Sequence, residues 1–235
     1  EARSSGEANE ALAAMNLATG DGELVKYASK NGSGDKVTLK DVTIGPDGDG
    51  LNAGTMVLEG LSMNDAGEPV VTGITLSDVT PAEETPGVQL NVATITFTGL
   101  DEVTGAYIAK TFKDGESVEP PPFEQWVIGS ASIEGLSVVG DMEAMGQGGG
   151  SFNLTLDEVS LSDLEDEVAG RFGWNGFKGT FSVPPEAAGY QVDGSFDFGT
   201  LEIGGLQGGT FADAFSAGMT SMMSPGAVAD PGAGL

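Results

Sequence analysis

Between Gly45 and Asn52 the chain reads Gly-Pro-Asp47-Gly-Asp49-Gly-Leu-Asn52, a spacing of carboxylates and glycines that suits a hard cation such as calcium. Such an ion is held by oxygens that converge from a tight turn, so Asp47, Asp49 and Asn52 are the candidate metal ligands. The segment is not an EF-hand. Leu51 stands where a ligand belongs, and no Glu occupies the twelfth position. The same residues also describe a plain turn between two strands.

Other chemistry-bearing groups are sparse. Asp157, Glu158, Asp163, Glu165, Asp166 and Glu167 form an acid cluster that suits cations or a basic partner, or simply a solvated helix face. Paired carboxylates could serve glycoside hydrolysis, but a chain this acidic places acids near one another by coincidence. Gly204–Gly209 and Gly146–Gly150 are glycine-rich without the Gly-Lys-Ser/Thr of a phosphate loop, and read as turns or spacers. Met142, Met145, Met219, Met222 and Met223 suit an irregular apolar ligand or ordinary helix packing. Trp126 and Trp174 read as packing anchors. The chain has no Cys and no His, which excludes disulfides, thiolate chemistry, Cys/His metal centres and the Ser-His-Asp and Cys-His mechanisms. A non-enzymatic protein is expected, with an acid-based hydrolase as the enzymatic alternative.

The charge narrows the partners. Thirty-six acids against nine bases leave a formal net charge of −27, a surface that repels nucleic acid and anionic membranes. It suits cations, polycationic partners or a salty medium, and is also a solubility adaptation. No apolar run approaches the roughly 18–20 residues of a membrane helix. The sequence opens at Glu1-Ala-Arg3 without Met, from which a removed signal peptide is expected. Absence of Cys fits either redox compartment.

What must position these groups is a recurring phrase: apolar, any, apolar, any, small-or-acidic, Leu/Val, any, apolar. Val37-Thr-Leu39-Lys-Asp41-Val42-Thr-Ile44 and Met56-Val-Leu58-Glu-Gly60-Leu61-Ser-Met63 are full copies. Ile74–Val79, Ile95–Leu100, Ile133–Val138, Leu154–Leu161 and Phe196–Ile203 continue the set, at first about every twenty residues. In a straight strand the first and sixth positions would face opposite ways. An extra residue near the fourth or fifth position, as a β-bulge, or a sharp corner there, returns them to one face. Asp41, Gly60, Asp78, Gly99 and Gly135 occupy that place, and Gly and Asp tolerate unusual backbone angles.

The expected fold is mainly β: a repetitive bulged-strand sheet, elongated and solenoid-like or open and curved, with short N- and C-terminal helices. Residues 1–34 form an N-terminal helical segment, with a helix over Glu7–Met15 that Ser5 caps and a second from Asp21 or Gly22 to Ser29. A turn at Asn31–Gly34 follows. Residues 35–118 are a first β-repeat region and 119–203 a second. The run Glu119–Pro122 divides them, and Phe123 and Trp126 seat the connection. Tyr107–Phe112 and Phe177–Val183 read as further strands, and Ser162–Val168 as a short helix. Residues 204–235 carry a helix over Thr210–Met223 and a flexible tail.

The phrases Val-Thr-Leu-Lys-Asp-Val-Thr-Ile and Met-Val-Leu-Glu-Gly-Leu-Ser-Met resemble those of repeat-rich bacterial envelope proteins, the AsmA/TamB group and related periplasmic proteins. The resemblance spans about Asp35 to Ile203. It implies a Gram-negative periplasmic setting and a long curved sheet with an apolar groove for lipid, and carries over no site residue. The expectation is an exported protein, periplasmic or at the cell surface, that binds a lipid-like ligand or a protein partner on one apolar sheet face. Leu39, Leu58, Leu76, Phe97, Ile133 and Leu156 are the candidate ligand-binding residues, and equally candidate core. The alternative is a structural or adhesin-like surface protein that uses its acids for calcium and its edge strands for self-association. No cofactor is expected beyond calcium.

Overall fold

A computed structural model describes residues 2–45, 50–144 and 149–207. Helix α1 (Ala2–Ala14) leads into β1 (Val25–Lys26), β2 (Ser29–Ser33), β3 (Lys36–Ile44), β4 (Leu51–Glu59), β5 (Ser62–Met63), β6 (Pro69–Val70), β7 (Gly73–Pro81) and β8 (Val88–Thr98). Helix α2 (Glu102–Asp114) and two 3-10 turns, Gly115–Ser117 and Phe123–Gln125, precede β9 (Ile128–Asp141), β10 (Ser151–Glu165), β11 (Val168–Asn175) and β12 (Lys178–Val183). The short α3 (Pro185–Ala188), β13 (Val192–Asp197) and β14 (Thr200–Gln207) follow.

The chain is mainly β, and its large antiparallel sheet stays open rather than closing into a barrel. Twelve strands join it, while β5 and β6 pair with each other. Its path is β1-β3-β4-β7-β8-β9-β10-β11-β14, with β2 also on β3, and β12 on both β10 and β13. β11 and β12 keep one register against β10, and β14 and β13 keep one register against them. Each of those pairs is therefore a single long strand interrupted once, at Gly176-Phe177 and at Phe198-Gly199. β8 pairs with β9 across the Glu119–Pro122 break, so one sheet spans both repeat regions.

The long strands carry two corner positions six residues apart, within the strand or just beyond its end. Pairing passes from Lys40↔Thr55 to Val42↔Ala53 and skips Asp41 and Gly54. The same skip recurs at Gly54/Asp78, Asp78/Ala93 and Gly135/Asp157. Asp41, Asp78, Gly135 and Gly176 have φ between 52° and 66° and lie in alternate strands, and Gly199, opposite Gly176 in the last strand, is left-handed as well at 58°. A second row crosses the sheet through Gly60, Thr72, Gly99, Gly129, Asp163, Gly170 and Gly205. Here the strands between supply the positive φ: Gly60, Gly99, Asp163 and Gly205, at 54–65°. No residue is inserted on either strand, because the register on both sides of each skip is the same. A left-handed residue thus acts as the sharp corner and brings Leu39 and Val42 to the same, buried face.

The core is the face that these corners keep continuous. Leu39, Met56 and Leu58 are at 0% exposure, and Val42, Val79, Leu61, Val71, Leu100, Ile128 and Leu164 are buried beside them. Helix α1 lays Ala8, Ala11 and Leu12 against this core, and packs on β5 and β6. α2 packs on β6. It starts at Asp101, whose carboxylate accepts the Thr104 backbone N–H at 2.9 Å. Thr104, at 0% exposure, accepts the Val127 N–H through its Oγ1 at 2.9 Å and so ties the helix to the entry of β9. Trp126 is buried edge-on to Tyr107, with its indole N–H donating to the Pro121 carbonyl at 3.0 Å; Phe123 packs partly buried on the core. The polyproline connection is seated by these two side chains.

Several local expectations are corrected. α1 begins at Ala2, so Ser5 lies within the helix rather than capping it. The second helix is absent: Val25 pairs with Ile44, the chain enters β2 at Ser29, and Tyr27 donates to the Leu17 carbonyl. Pairing along β3 overrides weak helical propensity there. β2 continues through Asn31, and the turn is Gly34-Asp35. Tyr107–Phe112 is helical, because the Asp101 cap opens a helix whose Ile108 and Phe112, four apart, share a buried face. Ser162–Val168 is the β10–β11 hairpin instead of a helix. Asp166 and Glu167, both with positive φ, form a two-residue turn of the type that matches strand twist. Phe177–Val183 is a strand as expected, in β12. The Thr210–Met223 helix and the tail lie outside the described residues.

Candidate functional site

Paired residues of neighbouring strands share a face, and between the two corner rows they form two apolar ladders. One runs Leu39, Met56, Leu76, Ile95, Ile133, Val159, Trp174, Leu201. The other runs Val37, Leu58, Ile74, Phe97, Ala131, Leu161, Phe172, Ile203. Leu39, Leu58, Leu76, Phe97 and Ile133 therefore belong to two adjacent ladders on one face. Leu156 belongs to a third ladder beyond the first corner, where it pairs with Leu136.

Burial changes along these ladders. Leu39 and Leu58 are inaccessible and can only be core. Leu76, Phe97, Ile133 and Leu156 are half-buried, as are Val159, Trp174 and Leu201. At the far end Ile203 is 39% and Phe198 62% exposed. Phe177, Phe196 and Phe198 stack there with ring centroids 5.0–5.7 Å apart. Nearby, phenyl rings cover cross-strand glycines: Phe152 lies over Gly140, Phe196 over Gly179 and Phe181 over Gly194.

Within this face Trp174 carries a buried indole N–H that donates to no protein group among the described residues. A buried donor left unpaired costs about 1–3 kcal/mol, so the site favours an acceptor. Phe172 meets the Trp174 ring edge-on at 6.5 Å and holds its orientation.

Among the described residues, cavities flank the sheet at two places. One, of about 1080 Å³, lies at the outer ends of β7 to β10, where Asn52, Glu83, Glu84, Gln89 and Asp141 surround Leu90. The other, of about 230 Å³, lies between α2 and the β5–β6 turn. There Lys110 Nζ donates to Glu68 at 2.6 Å and Asn64 donates to its other oxygen at 3.3 Å. These hydrogen bonds hold the Glu68 carboxyl below its usual range, while burial raises the Tyr107 phenol. Neither cavity pairs a nucleophile with a base among the described residues, and the Lys110–Glu68 tie reads as a brace between helix and turn.

Of the calcium candidates, Asn52 is engaged by Thr43, whose hydroxyl donates to its Oδ1 at 2.9 Å. Asp47 and Asp49 lie outside the described residues. No group of three or more acidic side chains that could hold a metal occurs among the described residues. No helix of the described residues is long and apolar enough to cross a membrane.

Sequence reading placed two repeat copies in the wrong frame and missed a third. In β10 the copy is Val159-Ser-Leu161-Ser-Asp163-Leu164, with the positive φ at Asp163 rather than Glu158. In β14 it is Leu201-Glu-Ile203-Gly-Gly205-Leu206. The missed copy is Phe172-Gly-Trp174-Asn-Gly176-Phe177, which contains the orphan indole. The six-residue spacing of small or acidic corner residues, Asp157 to Asp163, Gly170 to Gly176 and Gly199 to Gly205, is the signal that finds all three. No family model, curated protein or solved structure matches this chain.

Proposed function

We propose that this is a non-enzymatic, exported envelope protein that holds a lipid-like ligand against the apolar face of its bent sheet. The observation that carries the reading is the gradient of burial along one continuous face. Along the first ladder Leu39 and Met56 are sealed in β3 and β4, whereas Ile133, Val159, Trp174 and Leu201 are only half-buried from β9 to β14. In the neighbouring ladder Ala131 and Leu161 stay buried, Phe172 is half-buried and Ile203 is exposed. A half-covered apolar row of this length is the kind of surface that binding sites use. An acyl chain suits it because contact with a ladder of Ile, Val, Leu and Phe needs no directional bonds. The Trp174 indole adds one directional element, a donor suited to an ester or carboxyl oxygen. A periplasmic or cell-surface setting belongs to the same proposal, and rests on the resemblance of the strand phrases to the AsmA/TamB group.

The test is native mass spectrometry of protein purified without detergent, with and without chelator. Extra mass in the lipid range that survives chelation, and that is lost when Val159→Glu interrupts the ladder, supports the reading. A bare protein in both conditions overturns it. A co-purifying polypeptide displaced by the same substitution would assign the face to a protein partner instead.

A further inference from the structure

The corner rows obey a rule. In each long strand one corner lies six residues before the other: Asp35 and Asp41, Gly54 and Gly60, Thr72 and Asp78, Ala93 and Gly99, and so on to Gly199 and Gly205. At every junction the N-terminal corner of one strand meets the C-terminal corner of its neighbour. Gly54 faces Asp78, and Gly129 donates its N–H to the Gly99 carbonyl at 3.1 Å. Asp163 stands over Gly170, and Gly176 donates to the Gly199 carbonyl at 2.8 Å. Between the corners, Leu39 pairs with Met56 and Trp174 with Leu201, always the inner apolar position of one strand against the outer one of the next.

The two ends of the sheet differ. The outer edge of β3 is covered by β1 and β2. The outer edge of β14 carries no strand among the described residues, and Ile203 there is 39% exposed. A strand that completes this edge must run antiparallel and carry two small corner residues six apart with apolar residues between. This chain itself has that pattern in all eight long strands.

We infer that β14 is an interface for a second copy of this chain. The two β14 strands add antiparallel about a two-fold axis at Glu202, with Gly199 of each copy opposite Gly205 of the other. The rule of N-terminal corner against C-terminal corner is its own mirror under that rotation, so one strand satisfies both halves of an isologous contact. The same register sets Leu201 of one copy beside Ile203 of the other, extends both apolar ladders across the axis and covers Ile203. The net charge of −27 opposes the association. On the axis the two Glu202 carboxylates meet on the opposite face, each with an Arg171 guanidinium 3.7 Å away within its own copy. Association therefore strengthens as salt screens the charge.

The absence of Cys provides the test. Sedimentation equilibrium of the full chain is expected to show a dimer that grows with sodium chloride. Glu202→Gln tightens it about two- to fivefold, the effect of removing a like-charge cross-strand pair. Under mild oxidation Glu202→Cys, on the axis, forms a disulfide-linked dimer, whereas Lys36→Cys, at the covered end of the sheet, does not. Ile203→Lys, with an unchanged far-ultraviolet spectrum, is expected to be monomeric. A monomer at every salt concentration, or a dimer that crosslinks no better through Glu202→Cys than through Lys36→Cys, overturns the inference.

Discussion

The side chain of Asp163 covers Gly170 so closely that a methyl group added to Gly170 would lie 2.8 Å from the Asp163 Cβ. Gly170 does not have a positive φ, so the constraint is contact with the neighbouring strand and not backbone strain. Gly170→Ala is expected to destabilise the protein by about 1–3 kcal/mol, the usual result of overpacking. For a chain of this size that lowers Tm by about 2–4 °C per kcal/mol. Adding Asp163→Gly removes the clashing side chain and recovers most of the loss. A double-mutant cycle read by thermal melting checks the coupling.

At Asp78 the left-handed backbone, with φ 55°, sets the preference. Asp78→Gly is expected to stay within about 1 kcal/mol of the parent, since relief of the left-handed conformation offsets the extra freedom of the unfolded chain. Asp78→Val places a β-branched residue in that region and is expected to cost about 2 kcal/mol. Denaturant titration of the two variants checks the ordering, and equal stabilities would refute the corner as a conformational device.

Thr104 joins α2 to the entry of β9 through the Val127 N–H. Thr104→Val keeps the shape, but leaves that N–H without its partner, at a cost of about 1–3 kcal/mol. Thr104→Ser keeps the acceptor and loses less. Asp101→Ala removes the helix cap for about 1 kcal/mol. Chemical denaturation with helical and Trp fluorescence probes separates the two effects.

Glu68 gives a pH signature. Its folded carboxyl titrates below its ordinary value of 4.5 because Lys110, and then Asn64, donate hydrogen bonds to it. A depressed folded pKa stabilises the native state above the unfolded pKa and loses that contribution as pH falls through the folded value. The parent is therefore expected to exceed Glu68→Gln in stability near neutral pH, and to lose that advantage as pH falls below the ordinary Glu range and through the lowered folded pKa. The pair is partly exposed, so the difference is small. Melting temperatures of both proteins between pH 3 and 7 check the direction.

Trp174→Phe probes the ligand face. It keeps an aromatic ring in the ladder and removes the orphan donor. Apo stability is expected to change by less than about 1 kcal/mol, because the lost ring area and the relieved indole oppose each other. Retention of a lipid that accepts from the indole falls, whereas a ligand held by apolar contact alone is unaffected. Native mass spectrometry of the variant purified beside the parent distinguishes these outcomes.

Much of the architecture is legible in the residues. The alternation of Val37, Leu39 and Val42 around Asp41 announces a bent strand whose inner face stays apolar, and Gly60, Asp78 and Gly99 repeat it. What misleads is the place of the corner when acids crowd it. Around Asp157 and Glu158 the local phrase fits two frames, and only the cross-strand partners Gly135 and Gly176 decide between them. Tyr107–Phe112 fits a strand until Asp101 is recognised as a cap. The candidate face is half legible. The recurring strand phrase marks Ile133 and Leu156 as inward, but which inward residues are sealed depends on where α1 and α2 settle.

The long strands join in sequence order, each to the one before it. The chain thus makes nearly all its pairings between neighbours in the sequence, a topology whose hairpins close without waiting for the far end of the chain. Removing or duplicating one antiparallel pair would leave both corner rows in phase, since two strands restore the direction of travel. The length of the sheet is in that sense an adjustable dimension, set two strands at a time.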